Sequence, residues 1–254
     1  MYRTYKTFPE TLIGVFTLKL KVIIPNSGMS KETLKERELM LKSVAAKETE
    51  ISVDCIEHGP ESIESNYDEI LAGKYIIDKV INAEREGYDA IIIYCGSDPA
   101  IAAAREIVNI PVIGPGKISM LIANDLAYKF SILTVLNQTI PHDEELVRKQ
   151  GIDVTRLASV RSINIPVSDV RNDMEKTFNA LLEEGKKAIE VDGAHALVLA
   201  CLGMAGMGKR LQEALKIPVI DPAFLAIKYA ELLVTLNLKQ SKKSFPIPPE
   251  KIRI

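Results

Sequence analysis

The sequence repeats itself once, and this repeat limits the possible folds more than any other feature. The segment from Gly87, GYDAIIIYCGSDPAIAAAREIVNIPVIGP, is similar to the segment from Asp192, DGAHALVLACLGMAGMGKRLQEALKIPVIDP. Cys95 corresponds to Cys201, and Ile-Pro-Val-Ile follows in both copies. Any two strand–helix–strand units share a hydrophobic pattern, but that similarity does not explain a cysteine at the same strand end in both. The repeat therefore predicts two similar halves.

Short apolar runs rich in β-branched residues alternate with helical segments along the chain. The predicted strands are Val22–Ile24, Ile91–Tyr94, Val112–Ile113, Ser131–Val135, Leu197–Ala200 and Val219–Ile220. The predicted helices are Glu69–Glu86, Ala100–Val108, Asp173–Val191 and Gly208–Leu215. Continuous apolar runs suit strands that are buried on both faces of a parallel sheet. We therefore expect an α/β fold of two pseudo-symmetric, doubly wound, Rossmann-like domains with mainly parallel sheets and an interdomain cleft.

Glycine and proline mark the points where the chain passes from one half to the other. The Ile-Pro-Val-Ile segments run into Gly114 and Asp221, and a proline follows each of these residues. The sequence therefore predicts a discontinuous first domain, residues 19–114 plus 222–254, and a second domain, residues 115–221. Residues 1–18 form an N-terminal extension to which the sequence assigns no role.

Charge and cysteine content exclude several classes of protein. A formal net charge of -2 provides no basic excess for nucleic acid. Hydrophobic residues at 47% and charged residues at 26% are typical of a soluble globular protein and exclude collagen, coiled coils and disordered chains. Three scattered cysteines do not make a disulfide framework, and the apolar run Leu12–Phe16 is too short for a signal peptide or a membrane span. We expect a cytoplasmic protein with no nucleic-acid or membrane partner.

The matched cysteines occupy positions where chemistry is expected. Cys95 and Cys201 each follow a predicted strand, and ligands bind beyond the carboxyl ends of strands in open α/β sheets. Asp98-Pro99 is typical of an N-cap followed by the first helical residue, and Gly203–Gly206 predicts a flexible backbone at the second cysteine. A helix N-terminus lowers the pKa of a thiol and favours the thiolate.

Two thiols that face each other across one cleft are suited to inverting a carbon centre. One thiolate removes an acidic carbon-bound proton, and the other thiol delivers a proton to the opposite face, without a metal or organic cofactor. A cysteine at a strand end is often only a small buried hydrophobe, but packing alone does not require Cys in both copies. Cys55 has no counterpart, lies in an early predicted strand, Ile51–Ile56, and is expected in the core.

The remaining reactive side chains are weaker candidates. His58 lies in a predicted loop, where it is either a turn residue or a ligand contact. His142 begins an acidic helix and is expected to face solvent, and His195 lies on a turn and is expected to be structural. The chain has no zinc-ligand spacing, dinucleotide fingerprint, P-loop or G-x-S-x-G motif, so the sequence predicts neither a metal nor a nucleotide cofactor.

Several segments in this order resemble the aspartate/glutamate/hydantoin racemase superfamily, and in particular its hydantoin racemase and allantoin racemase branch. The resemblance extends from about Lys21 to Lys243. The segments are Pro25-Asn26-Ser27, GPESIESNYDE (Gly59–Glu69), CGSDPAIAAARE (Cys95–Glu106), PVIG (Pro111–Gly114), FSILTVLNQTIP (Phe130–Pro141), CLGMAG (Cys201–Gly206) and PVID (Pro218–Asp221).

The resemblance implies a cofactor-independent racemase with its site between two domains. It implies that Cys95 and Cys201 are the acid/base pair, and that the enzyme is a homo-oligomer acting on a small cyclic ureide or amino-acid-like substrate. The substrate-binding residues that it implies are Asn26, Ser27, Gly96, Ser97, Thr134, Leu202 and Gly203. Ordinary turn or capping chemistry is the alternative explanation for Asn26, Ser27 and Thr134.

The residues that follow the cysteines bear on the substrate. Gly96-Ser97 and Leu202-Gly203 differ from the usual amino-acid racemase pattern, which favours 5-substituted hydantoins or a ureide such as allantoin. Glycine at position 96, where phenylalanine is usual in the hydantoin type, predicts a reshaped pocket, as does Leu202. The alternatives are an aspartate/glutamate-type racemase, a decarboxylase or isomerase of the superfamily, and a two-lobed small-molecule binding protein.

Overall fold

The structure, a computed structural model, describes residues 17–252. Residues 1–16, which include Leu12–Phe16 and most of the expected N-terminal extension, lie outside the described residues. Two four-stranded sheets organise the described part of the chain. The first contains β1 (Leu18–Ile24), β2 (Thr49–Cys55), β3 (Ala90–Ile93) and β4 (Val112–Ile113). The second contains β5 (Phe130–Thr134), β6 (Leu157–Ser162), β7 (Ala196–Leu199) and β8 (Val219–Ile220).

The two sheets have the same strand order. It is β2-β1-β3-β4 in the first and β6-β5-β7-β8 in the second, and neighbouring strands are parallel throughout. The predicted α/β fold with two similar halves is confirmed. Strand β6 was not among the predicted strands, because it is a half-buried edge strand, LASVRS, without a continuous apolar run.

Eight α-helices connect and cover these strands within residues 17–252. They are α1 (Lys31–Lys42), α2 (Asn66–Arg85), α3 (Ile101–Ile107), α4 (Pro115–Leu126), α5 (Ile140–Lys149), α6 (Met174–Glu190), α7 (Gly208–Leu215) and α8 (Pro222–Thr235). Helix α2 begins earlier than predicted because the Ser65 hydroxyl accepts a hydrogen bond from the Asp68 N–H and caps the helix. None of these helices is long and apolar enough to cross a membrane.

Alternate residues of each central strand point to opposite faces of its sheet. Leu20 and Val22 of β1 pack with Ala226 and Ile227 of α8, whereas Ile23 packs on the other face with Ile76 of α2 and its neighbours. All of these side chains are fully buried. Buried aliphatic layers therefore lie on both faces of the first sheet, and two further layers cover the second.

The helix that follows the last strand of each sheet packs against the other sheet. Helix α4, which follows β4, packs through Met120 and Ala123 against the second sheet, and α8 packs against the first. The tail also contacts the first half, because the Lys242 ammonium donates to the carbonyl of Val108 at 2.6 Å. The chain thus crosses between the halves after β4 and after β8. The domain boundaries at 114/115 and 221/222 stay a prediction.

Candidate active site

Both repeated cysteines lie two residues beyond the ends of equivalent strands, Cys95 after β3 and Cys201 after β7. Both contribute to the wall of one cavity of about 710 Å³. The other sequence-predicted site residues also line this cavity: Asn26, Ser27, Gly96, Ser97, Thr134, Leu202 and Gly203. The structure therefore brings the whole predicted set together, and the roles of its members stay predictions.

Burial controls the ionisation of the Cys95 thiol. Its Sγ lies 3.3 Å from the Ser97 Oγ, within hydrogen-bond distance. Burial raises the pKa of Cys95 to about 12, and the hydrogen bonds from Ser97 lower it only in part. The expectation of a lowered pKa is wrong, because the loss of hydration outweighs the local N–H and O–H donors.

The Cys201 thiol is also buried, and its thiolate form is stabilised more strongly than that of Cys95. Cys201 is the N-cap of a short 3-10 helix, Leu202–Met204, and its sulfur accepts a hydrogen bond from the Gly203 N–H at 3.3 Å. Burial raises the pKa of Cys201 to about 11, while the Gly203 N–H and the Arg37 guanidinium act in the opposite direction. The prediction of a lowered pKa is wrong here too, although a helix N-terminus does face the sulfur.

Asp98 does not cap the helix that follows Cys95. Asp98 and Ala100 have left-handed backbone angles, φ 54° and 57°, and α3 begins only at Ile101. The Asp98 carboxylate instead accepts hydrogen bonds from the N–H groups of Gly116 and Lys117, both at 2.8 Å, at the start of α4. The expected N-cap role is wrong, because these two N–H groups satisfy the carboxylate across the crossover between halves.

The glycine after Cys95 allows the two cysteine loops to touch. A Cβ atom on Gly96 would lie 1.7 Å from the Ala200 carbonyl oxygen, and one on Gly116 would lie 1.8 Å from the Gly96 carbonyl oxygen. The backbone of Gly96 is therefore enclosed on both sides. A glycine at this position permits close backbone contact next to both thiols.

The hydroxyls predicted to bind substrate already have partners within the protein. The Ser27 hydroxyl donates to the Gly59 carbonyl at 2.8 Å and ties the loop after β1 to the loop after β2. The Thr134 Oγ1, at the end of β5, lies 2.7 Å from the Thr139 Oγ1. These contacts fix the shape of the cavity, and they are compatible with the alternative explanation by turn chemistry.

The sequence analysis missed two arginines in the cavity wall. Arg37 comes from α1, and Arg171 comes from the loop before α6. The Arg171 Nη1 donates to the carbonyls of Gly203 at 3.0 Å and Ala205 at 3.1 Å. The segment after Cys201 is thus clamped, and the expectation of a flexible backbone there is wrong. No motif in the sequence pointed to either arginine, because both are distant in the chain from the cysteines.

Histidine 142 also lies in the cavity wall, contrary to the expectation that it faces solvent. Its Nε2 lies 3.4 Å from the Glu69 Oε1, and its side chain is 18% exposed. Asp143, the next residue, is 6% exposed and lines the cavity as well. Helices α2 and α5, one from each half, bring these three side chains together. Glu69 ends one of the segments that carry the family resemblance, which was the only signal for it.

The other histidines and Cys55 lie away from this cavity. The His58 and Tyr75 rings meet in an edge-to-face contact, and His195 is exposed on the turn before β7. Cys55 ends β2 and is partly buried against the core of the first sheet. Between residues 17 and 252, no three His, Cys, Asp or Glu side chains are grouped so that they could hold a metal ion.

A fold of two matched α/β units with paired cysteines in one shared cavity defines a recognisable class of enzyme. The family model described as Asp/Glu/hydantoin racemase matches residues 20–230. The chain is 38% identical over 235 residues to a hydantoin racemase of Pseudomonas sp. (strain NS671), covering 92% of this chain and 93% of that protein. It is 36% identical to a hydantoin racemase of Paenarthrobacter aurescens, covering 92% and 99%.

Comparison with solved structures also identifies racemases. The allantoin racemase from Klebsiella pneumoniae superposes with a TM-score of 0.85 at 33% identity, covering 92% of this chain and 95% of that chain. The chain therefore belongs to the Asp/Glu/hydantoin racemase family, and it is an isomerase of the racemase type.

Proposed function

We propose that this protein racemises 5-substituted hydantoins or a related cyclic ureide such as allantoin, with Cys95 and Cys201 as its acid/base pair and without a cofactor. The observation that carries the proposal is the placement of two cysteines, from equivalent strand ends of the two halves, in the wall of one cavity. The hydantoin and allantoin racemases to which the chain is similar support the substrate class.

The acidity of the substrate suits this site. The proton at C5 of a hydantoin lies next to an imide-like carbonyl, so its removal leaves an enolate whose charge is shared with oxygen. Positive charge and N–H donors aimed at that oxygen stabilise the enolate. Arg37 and Arg171 provide the positive charge in this cavity.

The proposed proton transfers are balanced over two half-reactions. A thiolate takes the C5 proton from one face, and the opposite thiol gives its own proton to the other face of the enolate. Burial keeps both thiols largely protonated in the free enzyme. We assign the reactive thiolate to Cys201, because the Gly203 N–H and the Arg37 guanidinium stabilise its charged form. After one turnover the thiolate is at Cys95, and reaction in the reverse direction restores the first state.

Deuterium exchange tests the mechanism. Single enantiomers of hydantoins, allantoin, aspartate and glutamate are incubated with the protein in D₂O, while optical rotation and loss of the α-proton are followed together. We expect loss of optical rotation and loss of the α-proton with a hydantoin or allantoin. With Cys95→Ser or Cys201→Ser we expect no loss of optical rotation. Exchange without inversion in one of these variants would identify the surviving base.

Cys55→Ser is the matched control, since Cys55 lies outside the cavity. It is expected to retain full activity. Exchange of none of these substrates, or full racemisation by Cys95→Ser and Cys201→Ser, would overturn the proposal.

We also propose that the protein is a homo-oligomer and that it is located in the cytoplasm. The three free cysteines fit a reducing cytoplasm, and the family resemblance implies a homo-oligomer. Light scattering of the purified protein distinguishes an oligomer from a monomer of 28.1 kDa.

A further inference from the structure

Tyr94 lies between β3 and Cys95, and its side chain is bonded to the loop that carries the other cysteine. It directly follows the last residue of β3, and only 6% of it is exposed. Its hydroxyl donates a hydrogen bond to the carbonyl oxygen of Leu202, which is 3.2 Å away. The residue before one cavity cysteine is therefore bonded to the residue after the other, Cys201.

The carbonyl that Tyr94 binds belongs to the peptide group that faces the Cys201 sulfur. The Leu202 carbonyl and the Gly203 N–H are the two ends of one planar trans peptide, so they point in opposite directions. At one end the carbonyl accepts from the Tyr94 hydroxyl, and at the other end the N–H donates to the Cys201 Sγ at 3.3 Å. The hydrogen bonds thus form a continuous chain from the tyrosine hydroxyl to the sulfur.

Hydrogen bonds in such a chain strengthen one another. A donor at the carbonyl oxygen withdraws electron density from the peptide group, which makes its N–H a stronger donor. The Gly203 N–H in turn lowers the pKa of Cys201 against the effect of burial. Removal of the Tyr94 hydroxyl therefore weakens the support of the thiolate without removing any group that contacts the sulfur.

The surroundings of Tyr94 keep its hydroxyl in the donor form. Burial raises the pKa of Tyr94 above its ordinary value, although the charges of Arg37 and Arg171 act in the opposite direction. The phenol is therefore neutral between pH 7 and pH 10, and its proton is available to the Leu202 carbonyl. Tyr94 and both arginines line the cavity that contains the thiols.

The loop after Cys201 has other bonds that hold its shape. The Leu202 carbonyl also accepts from the Ala205 N–H at 3.2 Å, and Arg171 binds the carbonyls of Gly203 and Ala205. In Tyr94→Phe the Leu202 carbonyl therefore keeps a donor, and the loop is expected to stay folded. A change at Cys201 in this variant then reports the strength of the hydrogen-bonded chain.

We propose that Tyr94 is a positioning residue for Cys201, and that its hydroxyl stabilises the Cys201 thiolate through the Leu202–Gly203 peptide group. This inference rests on the proposed function, in which Cys201 is the reactive thiolate. The arrangement supports only one of the two thiols. Ala200 occupies the position that corresponds to Tyr94 in the second copy of the repeat, and alanine has no side-chain donor.

Selective alkylation tests the proposal on the free enzyme. Wild type and Tyr94→Phe are treated with iodoacetamide at pH 9, and mass spectrometry measures the modification of Cys95 and Cys201 in the same sample. The ratio of the Cys201 rate to the Cys95 rate is expected to fall about threefold in Tyr94→Phe, because a cooperating donor adds about a tenth to a third to a charge-assisted hydrogen bond. Tyr229→Phe is the control, since Tyr229 is a partly buried tyrosine of α8 outside the cavity. It should leave the ratio unchanged.

A single NMR signal reports on the peptide group itself. Leu202-Gly203 is the only Leu-Gly pair in the sequence. Protein labelled with ¹³C at the leucine carbonyls and with ¹⁵N in glycine therefore gives one carbonyl–amide correlation. In Tyr94→Phe the carbonyl ¹³C and amide ¹H shifts should both move upfield, because the carbonyl loses a donor and the N–H donates more weakly. The signal should stay in place in Tyr229→Phe.

The outcomes separate this inference from the proposed function. A lower ratio of Cys201 to Cys95 modification, together with the upfield signal, supports the inference. An unchanged ratio, an unmoved signal, or a larger loss at Cys95 would overturn it, because a purely structural effect of Tyr94 reaches the adjacent Cys95 first. Neither measurement uses a substrate. Failure to racemise any hydantoin or allantoin would therefore overturn the proposed function and leave the result on Cys201 reactivity intact.

Discussion

The carbonyl oxygen of Ala200 lies against the backbone of Gly96 so closely that a Cβ atom there would be only 1.7 Å away. Ala200 directly precedes Cys201, and Gly96 directly follows Cys95, so this contact joins the two thiol-bearing loops. Backbone, unlike the end of a flexible side chain, cannot move aside without shifting its whole loop. The relative position of the two sulfurs therefore depends on the absence of a side chain at residue 96.

Gly96→Ala is predicted to lower kcat for racemisation by about 100-fold, because displacement of a reacting group by an ångström has an effect of that order. Racemisation of allantoin followed by polarimetry measures the effect. Gly73→Ala, in α2 where a Cβ meets nothing within 4 Å, is the matched control and should retain activity with a slightly higher Tm. Full activity in Gly96→Ala would show that the loops tolerate separation.

Asp98→Ala is predicted to destabilise the protein by about 2 kcal/mol, because it leaves the buried Gly116 N–H and the partly buried Lys117 N–H at the start of α4 without an acceptor. Urea unfolding followed by circular dichroism measures the change. At the start of α8 the acceptor is Asp221, whose carboxylate caps its own helix and also accepts from the Gly206 N–H at 2.7 Å. Asp221→Ala should have a similar cost, and unchanged urea midpoints in both variants would contradict the prediction.

Alkylation of the cavity thiols should accelerate steeply with pH. The pKa values of Cys95 and Cys201, raised by burial to about 12 and about 11, keep both thiols largely protonated at neutral pH in the free enzyme. Below its pKa, a thiol gains about tenfold in thiolate for each pH unit. In a Cys55→Ser background, inactivation by iodoacetamide should keep rising from pH 7 to pH 10. A plateau near the ordinary thiol pKa of about 8.5 would contradict this.

The same pKa shifts predict a loss of stability at high pH. Each thiol has a higher pKa in the folded protein than in the unfolded chain, so the unfolded chain loses its protons first as pH rises. The contribution to stability is complete below about pH 8.5 and declines as the pH approaches the folded-state values, by at most about 1.4 kcal/mol per pH unit for each thiol. Urea unfolding at pH 7.5 and pH 9.5 tests this, and the Cys95→Ser/Cys201→Ser double variant should show a smaller decline.

Arg171→Met is predicted to lower kcat by about 100-fold with a small change in Tm, because the carbonyls of Gly203 and Ala205 lose the donor that holds the loop after Cys201. Arg171→Lys should recover part of the activity, since an ammonium can reach one carbonyl. Arg148→Met, which removes exposed ion pairs on α5, is the control. Wild-type kcat in Arg171→Met would show that this clamp does not position Cys201.

Much of the fold and the main part of the site could be predicted from the sequence. Runs such as Ile91–Tyr94 mark strands buried on both faces, and a cysteine repeated at the same strand end marks a shared site. Strand β6 could not be predicted in this way, because an edge strand that is partly exposed to solvent lacks a continuous run of apolar residues. The cavity carboxylates of Glu69 and Asp143, which come from helices of different halves, had no shared motif either.

The sequence by itself determined which residues repeat, because the repeat is a local pattern of side-chain types at fixed spacing. Only the tertiary structure decided how those residues behave. Asp98 looks like a helix cap in the sequence, yet it binds the start of α4, because the chain crosses to the second sheet beside it. The thiols of Cys95 and Cys201 lie near backbone N–H donors, yet burial dominates their pKa, and burial depends on atoms that come from both halves of the chain.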